Sequence, residues 1–184
     1  MNKKVRFAVA FATILAVMFG IGVTVAFLIA SSKPVINTFT IGDIQLSLSE
    51  TTGDKYRLVP GTTVSKDPTL TVKAGSDACW LFFVIDASAD LDNYVVYTPA
   101  AGWKSVPGMQ DAYYRQVEKT DTDIAFPLLQ DDAIYVKDTV TEEQLSAIKT
   151  APGLAFTGYA VQKVELATVE EAWRALFGAE VADR

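Results

Sequence analysis

Beyond the N-terminal segment the chain alternates short apolar, β-branched runs with turn clusters, the pattern of a β-sandwich or barrel. Ile44, Leu46 and Leu48 fall at period two between Asp43, Gln45, Ser47 and Ser49, which predicts a half-buried strand. Thr69 to Val72 predicts a second, ended by Ala74-Gly75-Ser76-Asp77. Ala78-Cys79-Trp80-Leu81-Phe82-Phe83-Val84-Ile85 does not alternate at all. Such a run predicts a central strand covered on both faces. Further strands are expected over 95–98, 112–118, 134–137 and 154–165, with Pro60-Gly61, Pro99, Gly102, Pro107-Gly108, Asp131-Asp132 and Pro152-Gly153 as turns. Two capping boxes open helices: Thr141-Glu142-Glu143-Gln144 and Thr168-Val169-Glu170-Glu171. The second carries Val169, Ala172, Trp173, Leu176 and Phe177 on one face and stops at Gly178.

The N-terminus has a different pattern. Lys3, Lys4 and Arg6 precede an uncharged 24-residue run from Phe7 to Ala30. A basic n-region, an apolar h-region and small residues near its end make a secretory signal segment. Thr24-Val25-Ala26 places small residues at −3 and −1, which predicts cleavage between Ala26 and Phe27. Leu28-Ile29-Ala30 is a second candidate site with a bulkier −3 residue. The same run is long enough to span a bilayer, so an uncleaved anchor is the alternative. Expected domains are therefore a signal peptide over 1–26, an apolar arm over 27–36 and one β-sandwich domain over 37–184.

Charge and chemistry narrow the function. Removing residues 1–26, with three basic and no acidic side chains, takes the net charge from −6 to −9. That argues against nucleic acid and against an electrostatic grip on anionic lipid, leaving the N-terminal segment as the only membrane contact. The single cysteine, Cys79, lies in the apolar run and reads as a buried small hydrophobe. Histidine is absent, which removes the Ser-His-Asp triad, the Cys-His pair and the two-histidine zinc helix. Neither common phosphate-binding glycine loop occurs. No catalytic, cofactor-binding or metal-ligating residue is assigned. The carboxylate pairs Asp90/Asp92, Asp121/Asp123 and Asp131/Asp132 read as solvated loop acids. Calcium bound there would need further oxygen ligands from elsewhere.

Several blocks together resemble one family. They are Asn37-Thr38-Phe39-Thr40-Ile41-Gly42-Asp43-Ile44-Gln45-Leu46-Ser47-Leu48, Leu58-Val59-Pro60-Gly61, Asp67-Pro68-Thr69-Leu70-Thr71-Val72-Lys73-Ala74-Gly75 and Ala78-Cys79-Trp80-Leu81-Phe82. Gly102-Trp103, Ala112-Tyr113-Tyr114-Arg115, Tyr159-Ala160-Val161-Gln162 and Glu171-Ala172-Trp173 continue the pattern. In that order they resemble the TasA/camelysin family, exported with a SipW-dependent type of signal peptide. The resemblance implies a jelly-roll β-sandwich, to which the two capping boxes add two short peripheral helices, secreted by a Gram-positive-type bacterium into a biofilm matrix or onto the cell surface. Some members carry a metallopeptidase label, which this histidine-free sequence does not support.

The residues themselves suggest a mechanism of assembly. Cleavage at Ala26 frees Phe27-Leu28-Ile29-Ala30, followed by Val35 and Ile36. An apolar tail of this kind is an interaction segment. As an extended strand it can add to a neighbouring subunit's edge, a head-to-tail contact that propagates a homopolymer. The alternative is that the tail folds back as the first strand of its own domain. Three functions follow: a self-assembling matrix fibre protein; a surface-anchored binding or adhesion module whose aromatic cleft would use Trp103, Tyr113 and Tyr114; and a camelysin-type secreted peptidase.

Overall fold

The computed structural model describes residues 27–30, 38–52, 55–148 and 152–178. Among the described residues the chain is mostly β, with antiparallel and mixed sheets and two α-helices. The signal segment over 1–26 lies outside the described residues. Among those residues no helix is long and apolar enough to cross a membrane.

The central strand is β7 (Cys79–Ala87), between β13 (Leu154–Gln162) and β10 (Ala112–Val117). These pair antiparallel, and the short β9 (Lys104–Ser105) extends the sheet beyond β10. On the far side β2 (Thr38–Ile41) pairs parallel to β13, giving the order β2-β13-β7-β10-β9. Alternate residues of β7 enter two separate apolar clusters. Cys79, Leu81, Phe83 and Ile85 join one, and Trp80 and Phe82 the other. This double burial explains why the run shows no polar alternation.

The larger cluster lies between this sheet and two three-stranded ones. One has β3 (Leu46–Ser49), β6 (Thr69–Val72) and β11 (Ile124–Pro127), in the order β11-β6-β3. The other has β5 (Thr63–Ser65), β8 (Val95–Val96) and β12 (Ala133–Val136), in the order β5-β12-β8. Leu48, Leu70 and Val72 meet Leu81, Phe83, Phe156 and Ala160 there, with Ile134 and Val136 from β12. The approach is close at Gly158 on β13, where a Cβ would stand 2.3 Å from Leu70 Cδ2.

The second cluster is roofed by α2 (Val169–Phe177), whose Val169, Ala172 and Trp173 bury against Trp80, Phe82 and Val161. Trp173 meets Phe82 edge-on at 5.5 Å between centroids. Both capping boxes form as read. Thr141 caps α1 (Glu142–Ser146) with Gln144 reciprocating, and Thr168 caps α2 with Glu171. Each satisfies two amide donors that a helix start otherwise leaves open.

Candidate assembly interface

The remaining strands place the arm. β1 (Phe27–Ala30) pairs antiparallel with β4 (Lys55–Leu58) in the register Phe27↔Leu58, Leu28↔Arg57, Ile29↔Tyr56 and Ala30↔Lys55. The two form a sheet of their own, so among the described residues the arm's ladder runs to β4 alone. In the single chain Phe27–Ala30 therefore pair within their own domain. Ala26, Val35 and Ile36, the other residues named for cleavage and the arm, lie outside the described residues.

β4 stands on an unusual base. Tyr56 and Leu58 are buried, while Arg57 between them is exposed. Leu58 enters the main apolar cluster. Tyr56 instead meets a polar network made from the chain segments on either side. Glu50, just beyond β3, and Lys66, just beyond β5, form an ion pair at 2.7 Å with side-chain exposures of 6% and 3%. The same Glu50 oxygen accepts from Tyr56 Oη and, at 3.2 Å, from Thr52 Oγ1. Lys66 Nζ also lies 5.0 Å from the Tyr56 ring centre and 5.6 Å from that of Phe156. Burial, and then the hydrogen bond to Glu50, push the Tyr56 hydroxyl well above its ordinary range.

Asp67 completes the base. Burial works to raise its pKa, but the Thr51 hydroxyl and amide and the Thr52 amide and hydroxyl all donate to it, and they win. The carboxyl is held down at about 2. The Thr51–Thr52 turn is thereby tied to the start of the segment leading into β6.

A second open edge lies on the main sheet. Among the described residues β2 pairs with β13 alone, and Phe39 and Ile41 are 54% and 47% exposed. Phe39 stacks on Tyr159 at 5.4 Å, and Tyr159 meets Phe177 edge-on at 4.8 Å. An exposed apolar strand at a sheet edge is a template for strand addition.

The aromatic residues proposed for a binding cleft do not form one. Tyr113 stacks on Phe83 at 5.0 Å and Trp103 meets the same ring edge-on at 4.7 Å, both against the main cluster. Tyr114, the next residue along β10, packs with Trp80 and Phe82 on the opposite face. Adjacent strand residues point to opposite faces, so one cleft cannot hold both. Arg115 lies with its guanidinium carbon 4.2 Å from the Phe126 ring centre and 5.2 Å from that of Trp103. A shallow groove of about 250 Å³ lies instead beside β8 and β12, lined by Val96, Tyr97, Gln130, Asp131 and Tyr135 among others.

The acidic pairs are dispersed. Asp123 accepts from Lys73 Nζ and the Ala74 amide, both at 2.9 Å, which holds its carboxyl below the usual range. Asp131 and Asp132 both take positive φ in a tight turn. Asp90 and Asp92 flank the start of the 3-10 turn Leu91–Asn93. Among the described residues no three histidine, cysteine or carboxylate side chains converge on a metal-sized site. Cys79 is fully buried, and desolvation pushes its thiol up to about 12.

Comparison with protein-family models, curated proteins and solved structures finds no match.

Proposed function

We propose that this is a secreted structural protein, without enzymatic activity, that self-assembles into extracellular matrix fibres by exchanging its N-terminal arm between subunits. The observation that carries the reading is the ladder of Phe27–Ala30, which runs to β4 and to no other described strand. Each ladder bond contributes about 0.5–1.5 kcal/mol net, so a four-residue pairing opens readily. The same antiparallel register can be filled by the chain's own arm or by that of the next subunit. The two ladders contain the same bonds, and concentration decides between them, as in strand swapping. Head-to-tail exchange propagates, and the acidic chain remains soluble until it does.

The resemblance to TasA/camelysin proteins, the signal-type N-terminus and the β-rich fold point the same way. With them go a jelly-roll topology, export through a signal peptidase and a place in the matrix or on the surface of a Gram-positive-type bacterium. In this reading no cofactor is required.

The test is a disulfide placed across the ladder, Leu28→Cys with Arg57→Cys, in the secreted chain. After oxidation under assembly conditions, non-reducing electrophoresis should show a ladder of covalent multimers. Electron microscopy of the same sample should show filaments. Cross-linked monomers alone, with uniform single particles on the grid, would refute arm exchange.

A further inference from the structure

The Lys66–Glu50 pair is an unusual object for a domain of this size. Lys66 is the only charged residue in the buried class among the described residues, at 3% exposure. Its ammonium and the Glu50 carboxylate have both left water for a site bounded by the Tyr56 and Phe156 rings. Removing two charges from water costs several kcal/mol per ion, and their attraction seldom returns it in full. A chemical step that abolishes both charges relieves that cost.

We propose that Lys66 and Glu50 condense in the folded protein to an intramolecular isopeptide bond. The amine and carbonyl carbon are already placed. With Nζ 2.7 Å from Oε1, the Glu50 carboxyl carbon is one C–O bond further on, which puts the reacting atoms within the range of a near-attack arrangement. A proton passes from the ammonium to the carboxylate across that hydrogen bond, leaving a neutral amine and a neutral acid. The nitrogen lone pair then attacks Cδ. Tyr56 Oη stands 3.5 Å from Lys66 Nζ and is hydrogen-bonded to Glu50 Oε1, so it touches both reacting groups. It accepts a proton from nitrogen and gives its own to Oε1. The C–O bond breaks, Oε1 departs as water, and the N–Cδ amide bond remains. Tyr56 ends as it began, and neither oxidant nor activating group is needed. Thr52 Oγ1 donates to the same carboxyl oxygen and holds its orientation.

The product bond would join the end of β3 to the end of β5 and enclose β4 within a covalent loop. This inference does not depend on fibre formation. A monomeric chain could carry the bond, and a fibre could form without it.

The experiment is mass spectrometry of the folded full-length chain, with its N-terminus sequenced so that the expected mass is fixed. Condensation removes one water, a loss of about 18 Da from the sequence mass, and the Lys66→Arg variant should show no loss. Trypsin should then fail to cut after Lys66. It should release a branched peptide joining the segment ending at Lys55 to the segment Leu58–Lys73. Tyr56→Phe should slow the mass loss after refolding without changing its final position. A folded chain at full sequence mass, cleaved normally between Lys66 and Asp67, would overturn the proposal. So would a loss of the same size located anywhere other than residues 50 and 66.

Discussion

Gly158 offers the sharpest test of how the two sheets meet. It lies in β13 opposite Phe83 of β7, and its bare Cα faces Leu70 of β6. A Cβ there would sit 2.3 Å from Leu70 Cδ2 and 3.3 Å from both Cγ and Cδ1. Leu70 is fully buried between strands β3 and β11, so its side chain has no free volume to enter. Overpacking of this kind costs about 1–3 kcal/mol. Against it stands the entropy that alanine removes from the unfolded chain, about 0.4–1 kcal/mol. The expected net loss for Gly158→Ala is about 1–2 kcal/mol, a fall in Tm of about 2–8 °C at this chain length. Leu70→Ala alone should cost about 2–5 kcal/mol through the cavity it leaves. The double variant separates the two causes. The new methyl group would enter the space vacated by Leu70, so the combined loss should be smaller than the sum by at least about 1 kcal/mol. Urea unfolding followed by intrinsic fluorescence of Trp80, Trp103 and Trp173, with all four chains in one cycle, measures this. Additive losses, or a Gly158→Ala chain as stable as the parent, would refute the close-approach argument.

The other expectations are simpler. Asp67 has a folded pKa near 2 against an ordinary 3.8, so its stabilisation is complete above pH 3.8 and is lost as pH falls toward 2. Allowing for solvent screening, the contribution is about 1 kcal/mol, and Asp67→Asn should flatten the stability profile over that window. Trp173→Ala should cost about 3 kcal/mol and release α2, seen as faster hydrogen exchange over 169–177 while β7 stays protected. Thr168→Ala should remove one cap and cost about 1 kcal/mol, measured by thermal unfolding. Cys79 should resist alkylation by iodoacetamide in the folded state and react once unfolded, because both burial and its raised pKa suppress the thiolate.

What could be read in the chain was whatever depended on neighbours in sequence. The unbroken apolar run of β7 signals two covered faces without reference to any other strand. The capping boxes at Thr141 and Thr168 are four-residue patterns, and both formed. Strands β2, β4, β5 and β9 did not stand out, because each has only two to four residues with polar side chains among them, and β11 did not because it is four residues long and ends in Pro127. Their pairing comes from partners far along the chain. The predicted strand over 44–48 begins at Leu46, because the Ile44 amide turns back to the Gly42 carbonyl at 3.0 Å. The strand expected over 154–165 ends at Gln162, and Glu165 takes φ of 66° in the turn that follows. At the interface, the apolar character of residues 27–29 was legible, but the choice of β4 as their partner was not. The Glu50–Lys66 pair was equally hidden. Its members are 16 positions apart, and the tertiary fold, with β4 and β5 between them in the sequence, brings them together.

The parallel pairing of β2 with β13 has a mechanical consequence. β2 begins at Thr38, C-terminal to the arm in the sequence, and the register Gly158↔Thr38 to Val161↔Ile41 runs in the same direction along both strands. Tension drawn through the arm pulls β2 along its own axis. Every rung of that ladder is then strained at once, instead of parting one after another from the end. An edge strand joined this way resists a steady pull far better than it resists peeling from the side.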